Sequence, residues 1–338
     1  MPVAVVIPCY RARATIRAVV AGVIGRVAQV YVVDDACPEE SAATLAGRFS
    51  PARLTVLRHA QNQGVGGATI TGYRQALADG HAVVVKMDAD GQMDPAELPA
   101  LVGPILAGEA DYTKGNRFFD LGLLGGMPRT RLFGNACLSF VNKLSSGYWE
   151  AMDPTNGYTA IHRAALARLP LDRLARRYFF ESDMLFRLGT IRAVVRDVPM
   201  AARYGGEVSS LRIGRVLADF PRRYLACLLK RFFYLYLLRD CNVGSLNTLL
   251  GLPMLGFGVG FGALHWWRSV ASGIPAATGT VMLAVLPIIL GVQLLLQAAA
   301  FDVANRCTAP LQRLLGPHRP AAPASAPRRT ALAPLDAG

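Results

Sequence analysis

The sequence predicts an α/β domain on a doubly wound sheet, followed by a helical hairpin apolar enough to enter a membrane. Three observations carry this. Short β-branched runs alternate with helical stretches of about a dozen residues, the pattern of βα units. Two long segments near the end carry no charge. The net charge of +13 is concentrated on either side of those segments.

The first strand is expected over residues 3–8, with a helix over 14–23. A second strand over 30–33 ends in Asp34 and Asp35. A third covers 54–57 and leads through a Gly-rich turn into a helix over 68–78, where Gly72 permits close packing. The fourth, residues 82–87, is a compact apolar run that stops at Asp88 and Asp90. Residues 114–118 and 120–127 read as irregular connections, 131–144 and 180–188 as helices, and 191–198 as a late strand. From 211 to 239 apolar residues recur at helical spacing with Arg and Lys opposite them, an amphipathic helix suited to a membrane interface.

Residues 249–267 and 269–301 contain no Lys, Arg, Asp or Glu. A span needs about 20 apolar residues, so two membrane helices fit, joined near 268–279 with Trp266 and Trp267 at an interface. Arg222, Arg223, Lys230, Arg231 and Arg239 precede them, and Arg306, Arg313, Arg319, Arg328 and Arg329 follow, while the loop between carries only Arg268. The positive-inside rule then puts both ends in the cytoplasm. The expected division is a catalytic domain over 1–210, an interface helix over 211–240, two spans within 246–302 and a basic, Pro/Ala-rich disordered tail over 303–338. The glycines of the first span (Gly256, Gly258, Gly260, Gly262) leave room for close helix packing, either within the hairpin or as homo-oligomerisation through the membrane helices.

Composition narrows the function. With 52% hydrophobic and 17% charged residues and a mean hydropathy of +0.31, the chain is too oily for a purely soluble enzyme. The basic charge is explained by anionic lipid headgroups; without a basic stripe and interleaved aromatics, nucleic acid is not expected as a partner. Six scattered cysteines without a CxxC pair argue against a zinc site or a disulfide framework. No signal peptide is expected at the N-terminus. His59, His81 and His162 lack metal-ligand spacing and read as ordinary residues.

Asp88 and Asp90 are the strongest chemical signal. Two carboxylates one residue apart at the end of a strand can share a divalent cation and leave room for phosphates, a donor set suited to Mg²⁺ or Mn²⁺. Asp34 and Asp35 could accept hydrogen bonds from a base or ribose. The loop from Asn62 to Ala68 is not GxGxxG and follows the third strand, which disfavours a nicotinamide-dependent dehydrogenase. Nucleotidyl transfer is disfavoured because no Gly-rich loop with Arg or Lys follows the first strand.

Four motifs, Ile7-Pro-Cys-Tyr10, Val32-Val-Asp-Asp35, Asn62-x-Gly64 with Ala68-x-x-x-Gly72, and Met87-Asp-Ala-Asp-Gly-Gln92, together resemble family 2 glycosyltransferases in order and spacing. The resemblance covers about residues 3–200. It implies the GT-A fold, a Rossmann-like doubly wound mixed sheet. With the amphipathic helix and two spans, the chain is similar to membrane-anchored dolichyl-phosphate mannose synthases and polyprenyl-phosphate glycosyltransferases. The resemblance places Pro8, Tyr10, Asp34, Asp35, Asn62, Gly64, Asp88 and Gln92 at a nucleotide-sugar donor, UDP- or GDP-linked. It makes Asp88 and Asp90 the metal residues, and Arg117 and Arg131 the residues for an acceptor phosphate. Asn116 and Asn135 stand where the family has Ser.

The resemblance thus implies inverting, metal-dependent transfer of one sugar to a membrane lipid, first of all polyprenyl phosphate, at the cytoplasmic face of the inner membrane. A hydroxyl on a glycolipid or envelope glycan is the alternative acceptor, and it would need a carboxylate base. Asp153, and Glu181 with Asp183, are the candidates for that role; local turn and helix-end duties are their alternatives. A non-catalytic membrane scaffold is the remaining alternative, and the intact Asp88/Asp90 pair with Arg117 argues against it. No Gln-x-x-Arg-Trp follows, so single-sugar transfer is expected rather than polymer synthesis.

Overall fold

The computed structural model describes residues 3–119, 129–200 and 213–315, with side chains for all of these except 129–132 and 213–218. Two compact units make up the chain, Met1–Cys227 with Cys307–Gly338, and Leu228–Arg306.

The first unit is a mixed α/β sheet. Its strands are β1 (Val3–Cys9), β2 (Gln29–Asp34), β3 (Leu54–Arg58), β4 (Val83–Lys86), β5 (Tyr112–Asn116), β6 (Thr159–His162) and β7 (Val195–Pro199). They lie in the order β3-β2-β1-β4-β6-β5-β7. β6 runs antiparallel to β4 and β5, and the other pairs are parallel. Alternate residues of a strand face opposite sides, and the sheet is apolar on both. Val5, Ile7, Val30, Val32, Val83 and Val85 pack with α1 (Ile16–Ile24) and α3 (Leu98–Leu106). Ala4, Val6, Tyr31, Val33 and Val84 pack with α2 (Val65–Ala78) and, further along the sheet, α6 (Phe180–Thr190). Gly72 behaves as its sequence suggests: a Cβ there would collide with the Val6 side chain, so glycine sets the approach of α2 to β1.

Residues 114–118, expected as an irregular connection, instead supply most of β5, which is interior to the sheet. The polar look of Lys114-Gly-Asn misleads because Lys114 is buried against Asp197 at 3.2 Å. β6 and α3 were not expected; β6 has only four residues, too few for a period to show. The late strand starts at Val195 rather than 191. α4 (Arg129–Ser146) starts just before its expected place, and the 120–127 loop lies outside the described residues.

The expected interface helix appears as α7 (Ile213–Phe232), which continues into a π-helical turn over Phe233–Leu238. Tyr224 and Cys227 are buried with Phe179 and Phe186 of the α/β unit, with Phe220 packed alongside, and Tyr224 shares a 2.7 Å hydrogen bond with Ser182. Aromatic packing thus ties α7 as far as Cys227 to the α/β unit, while the residues from Leu228 belong to the second unit.

The second unit pairs α8 (Val243–Ser272) with α9 (Thr278–Ala304), both long and apolar enough to cross a membrane. Within it, Arg231 and Tyr236 both hold Asp302. Residues 303–315, expected as the start of a disordered tail, instead have defined structure. α9 runs to Ala304, and after Cys307 the chain rejoins the α/β unit through α10 (Leu311–Leu314). The buried Asp111 carboxylate accepts from Leu311 N at 2.8 Å and Gln312 N at 3.1 Å. Residues 316–338 lie outside the described residues.

Candidate active site

Open α/β sheets bind ligands at the carboxyl ends of their strands, where the strand order reverses. Here β1 and β4 are neighbours although β2 and β3 intervene in sequence, which makes that point the switch. A cavity of about 460 Å³ opens there. Of the residues expected at a donor, Pro8, Tyr10, Asp35, Asn62, Gly64 and Asp88 line it, and so does Asp90.

Asp34 and Gln92 do not. Asp34 is the last residue of β2, and its side chain turns away from that of Asp35, so that Oδ1 accepts from Cys37 N at 3.0 Å. The Gln92 backbone N–H donates to Asp90 Oδ1 at 2.9 Å, which shapes the loop and holds the Asp90 side chain. Asp35 is a buried organiser. Its two oxygens accept from Gln63 N and Gly64 N at 2.8 Å each, and Oδ1 lies 2.7 Å from His59 Nδ1. The other His59 nitrogen meets Thr71 Oγ1 at 2.9 Å. Asp35 thereby ties the end of β2 to the loop ahead of α2. Gly64, at φ +86, accepts a conformation that L side chains avoid, and a Cβ there would lie 2.6 Å from Arg176 O.

Asp88 sits beside a buried ion network. Lys86, 1% exposed within the apolar strand β4, points Nζ at Asp88 Oδ1 (2.8 Å) and at Glu181 Oε1 of α6 (3.1 Å). Burial alone would lower the Lys86 pKa, but the two carboxylates outweigh it and hold the ammonium above its usual range. Two carboxylates on one ammonium leave surplus negative charge. Glu181 accordingly has its pKa raised, chiefly by burial, with Asp88 adding to the effect and Lys86 opposing it.

The three carboxylates expected as bases are all engaged. Glu181 is held by Lys86. Asp153, fully buried, takes a bidentate fork from Arg117, Nε to Oδ2 at 2.7 Å and Nη2 to Oδ1 at 2.8 Å. Asp183 accepts from Ala175 N at 2.8 Å and Arg187 Nε at 3.1 Å, which ties the start of α6 to the segment before it. Arg117, expected at an acceptor phosphate, thus has a protein carboxylate on two of its nitrogens. Arg131 lies in the first turn of α4, and its side chain is outside the described residues.

Sequence reasoning missed Arg11, Thr15, Arg177 and Tyr178, which line the same cavity, and Lys86. Thr15 Oγ1 donates to Ala89 O at 2.6 Å and so fixes the loop between the two aspartates. Arg177 and Tyr178 come from the segment before α6, and no spacing in the sequence announces them. Lys86 did have a signal: a lysine inside a buried apolar strand implies carboxylate partners.

The donor set fits a hard divalent cation. Asp88 and Asp90 present carboxylate oxygens to a cavity large enough for a nucleotide-sized ligand. Among the described residues no group of three or more His, Cys, Asp or Glu could hold a metal unaided. A cation here would therefore complete its shell with water and ligand oxygens, as Mg²⁺ does with phosphates.

Comparison with known proteins agrees. The family model described as "Glycosyl transferase family 2" matches residues 4–169. The UDP-N-acetylglucosamine–dolichyl-phosphate N-acetylglucosaminyltransferase of Methanococcus voltae is 33% identical over 178 residues, 53% of this chain and 70% of the relative. The polyprenol monophosphomannose synthase of Mycolicibacterium smegmatis is 31% identical over 202 residues, 58% of this chain and 75% of the relative. Among solved structures, glucosyl-3-phosphoglycerate synthase from Mycobacterium tuberculosis, in complex with Mn²⁺, UDP-glucose and phosphoglyceric acid, superposes with a TM-score of 0.50. That match has 24% identity and covers 68% of this chain and 79% of the other; it carries the likeness of fold, the GT-A fold.

Proposed function

This chain belongs to glycosyl transferase family 2, and from that premise we propose that it transfers one sugar from a nucleotide-diphosphate donor to a polyprenyl phosphate at the cytoplasmic face of a membrane. Relatives named for dolichyl- and polyprenol-linked transfer support the acceptor class. The two apolar helices support the membrane, and the flanking arginines support the cytoplasmic face.

The observation that carries the acceptor reading is the state of the carboxylates. Attack by a hydroxyl requires a base within reach of its proton, yet Asp153, Glu181 and Asp183 are all committed to cations or backbone N–H groups. A phosphate monoester, with a second pKa of about 6, is already ionised near neutral pH and needs only to be positioned. Arg117 is held in a fixed orientation by Asp153, and its planar guanidinium suits a phosphate.

Asp88 and Asp90 would hold the divalent cation, Mg²⁺ or Mn²⁺. When bound it supplies charge neutralisation for the departing diphosphate. The chain's own residues do the rest. Asp35 holds the Asn62–Gly64 loop against the donor. Thr15 fixes the loop between the two aspartates, and Arg117 orients the attacking oxygen. Attack and departure on opposite faces of the anomeric carbon invert its configuration.

The test is to incubate the purified protein and Mn²⁺ with a panel of UDP- and GDP-sugars and undecaprenyl phosphate, and to follow the product by mass spectrometry. A glycosyl-phosphoryl lipid is expected, lost on Asp90→Ala with membrane insertion intact. Transfer to a hydroxyl acceptor, with no such lipid across the panel, would overturn the reading.

A further inference from the structure

Lys86 is the charge hardest to explain by folding alone. It is the last residue of β4, stands between Val85 and Met87, and is 1% exposed. Taking an ammonium and a carboxylate out of water costs several kcal/mol per ion, and well-packed apolar residues usually serve stability as well or better. Yet the surroundings are built for this contact. Gly157 lies against it, and a Cβ there would fall 2.5 Å from Lys86 Nζ and 2.6 Å from Asp88 Oδ2. Gly157 O is a further acceptor, 3.4 Å from Nζ. Glu181 comes from α6, distant in sequence, and serves as the second counter-ion. Asp88 is the member that reaches solvent, its side chain 30% exposed at the cavity.

We propose that Lys86 is a positioning residue for the cation–diphosphate site: it holds one oxygen of Asp88, and Glu181 is the buried counter-ion that keeps the ammonium in place. The proposal rests on the reading of Asp88 and Asp90 as the cation site. With one oxygen taken by Lys86, Asp88 offers a ligand its other oxygen in a fixed orientation. One ammonium against Asp88, Asp90 and Glu181 leaves a net double negative charge, which a divalent cation neutralises. Glu181 thus acts through Lys86 and Asp88, as support for the cation residues.

The experiment uses the full chain in detergent and reads Mn²⁺ binding by electron paramagnetic resonance, with saturating UDP and separately with GDP, beside melting temperature and turnover. The double variant Lys86→Met/Glu181→Gln removes one charge of each sign, so the net charge at the site is unchanged and any effect reports position. Its Mn²⁺ affinity is expected to fall about tenfold or more, the usual effect of removing an outer partner of a metal ligand, with the melting temperature held. Gly157→Ala keeps every charge and wedges a methyl between Lys86 and Asp88; it should weaken Mn²⁺ binding likewise, and it decides alone if the double variant does not fold. Mn²⁺ binding within about twofold of wild type in the folded variants would overturn the proposal and leave the pair as fold support. Unchanged Mn²⁺ binding in Asp90→Ala would overturn the cation site itself, and the proposal with it.

Discussion

Arg117 and Asp153 face each other through two parallel hydrogen bonds of 2.7 and 2.8 Å, with the carboxylate fully buried. Asp153 also holds a left-handed backbone at φ +52, and its carbonyl accepts from the buried Lys114 at 3.1 Å. Asp153 thus holds Arg117 in a fixed orientation. Asp153→Ala leaves Arg117 without its fork and a buried site unfilled, at a cost of about 3 kcal/mol. Turnover should fall at least tenfold through a raised KM for the lipid phosphate, while UDP or GDP affinity measured by calorimetry stays the same. Asp153→Asn, which tolerates a positive φ, should keep the fold and lose less.

Much of this was legible in the sequence, for identifiable reasons. β1, β2 and β4 are short, apolar and end in chemistry, so their runs and their acidic termini were both visible. The cavity wall followed, because Pro8, Tyr10, Asp35, Asn62, Gly64 and Asp88 sit at strand ends or in the turn after β3. Partners were the illegible part. Asp153 and Glu181 find their cations, Arg117 and Lys86, far away in sequence, which nothing local shows; only the Arg187 that pairs with Asp183 stands four residues on along the same helix. β5 was hidden because its buried lysine depends on Asp197 of β7, more than eighty residues later. Asp34 and Asp35 are told apart only by their partners: Asp35 lines the cavity and accepts from Gln63 N and Gly64 N, whereas Asp34 accepts from Cys37 N.

His81 and His162 predict an acid limit to stability. His162 Nδ1 accepts from Ala164 N at 3.2 Å, which only an unprotonated nitrogen can do. His81 Nε2 lies 3.0 Å from the Tyr31 hydroxyl, which in turn reaches Asp79 at 2.5 Å. Burial lowers both pKa values below 6.5, with Asp79 and Asp111 opposing it less strongly. A depressed folded pKa gives stability that is present above the unfolded value and lost as pH falls through the folded one. Melting temperature should therefore hold above pH 6.5 and decline below it, and the double variant His81→Gln/His162→Asn should flatten that decline. An equal decline in the variant would assign the acid limit to other groups.

Asp111 predicts how the chain after α9 is held. Its carboxylate accepts from three backbone N–H groups, Leu311, Gln312 and Val194, and it is fully buried. Gln312 Nε2 adds bonds to Ile105 O at 3.0 Å and Ala110 O at 2.7 Å. Charge-assisted bonds of this kind contribute about 1.5–3 kcal/mol each. Asp111→Ala should release α10 before the α/β unit unfolds. Limited trypsin digestion is the measurement: cleavage at Arg306 and Arg313 should speed up well before any loss of helix content. Protection equal to wild type would mean that Leu311 packing and the Gln312 side-chain bonds hold the segment without Asp111.

The glycines of α8 and α9 divide into two sets with opposite predicted tolerance. A Cβ on Gly258 would lie 2.7 Å from Ile288 Cγ1 and 2.8 Å from Ala284 O of α9, and one on Gly291 would lie 2.8 Å from Leu255 N. Around Gly256 and Gly260 there is nothing within 4 Å. Small residues thus set the approach of α8 to α9 within the chain, since lipid tails give apolar side chains no preference for helix contact and close packing must supply it. Gly258→Leu must separate the helices or strain them, at about 1–3 kcal/mol. Gly256→Leu meets only its apolar surroundings and should be neutral or slightly favourable, because leucine is also the better helix former. Melting temperatures and extraction yields in mild detergent should therefore fall for the first variant and hold for the second. Equal losses in both would mean that the Gly256 face, too, is packed against a partner.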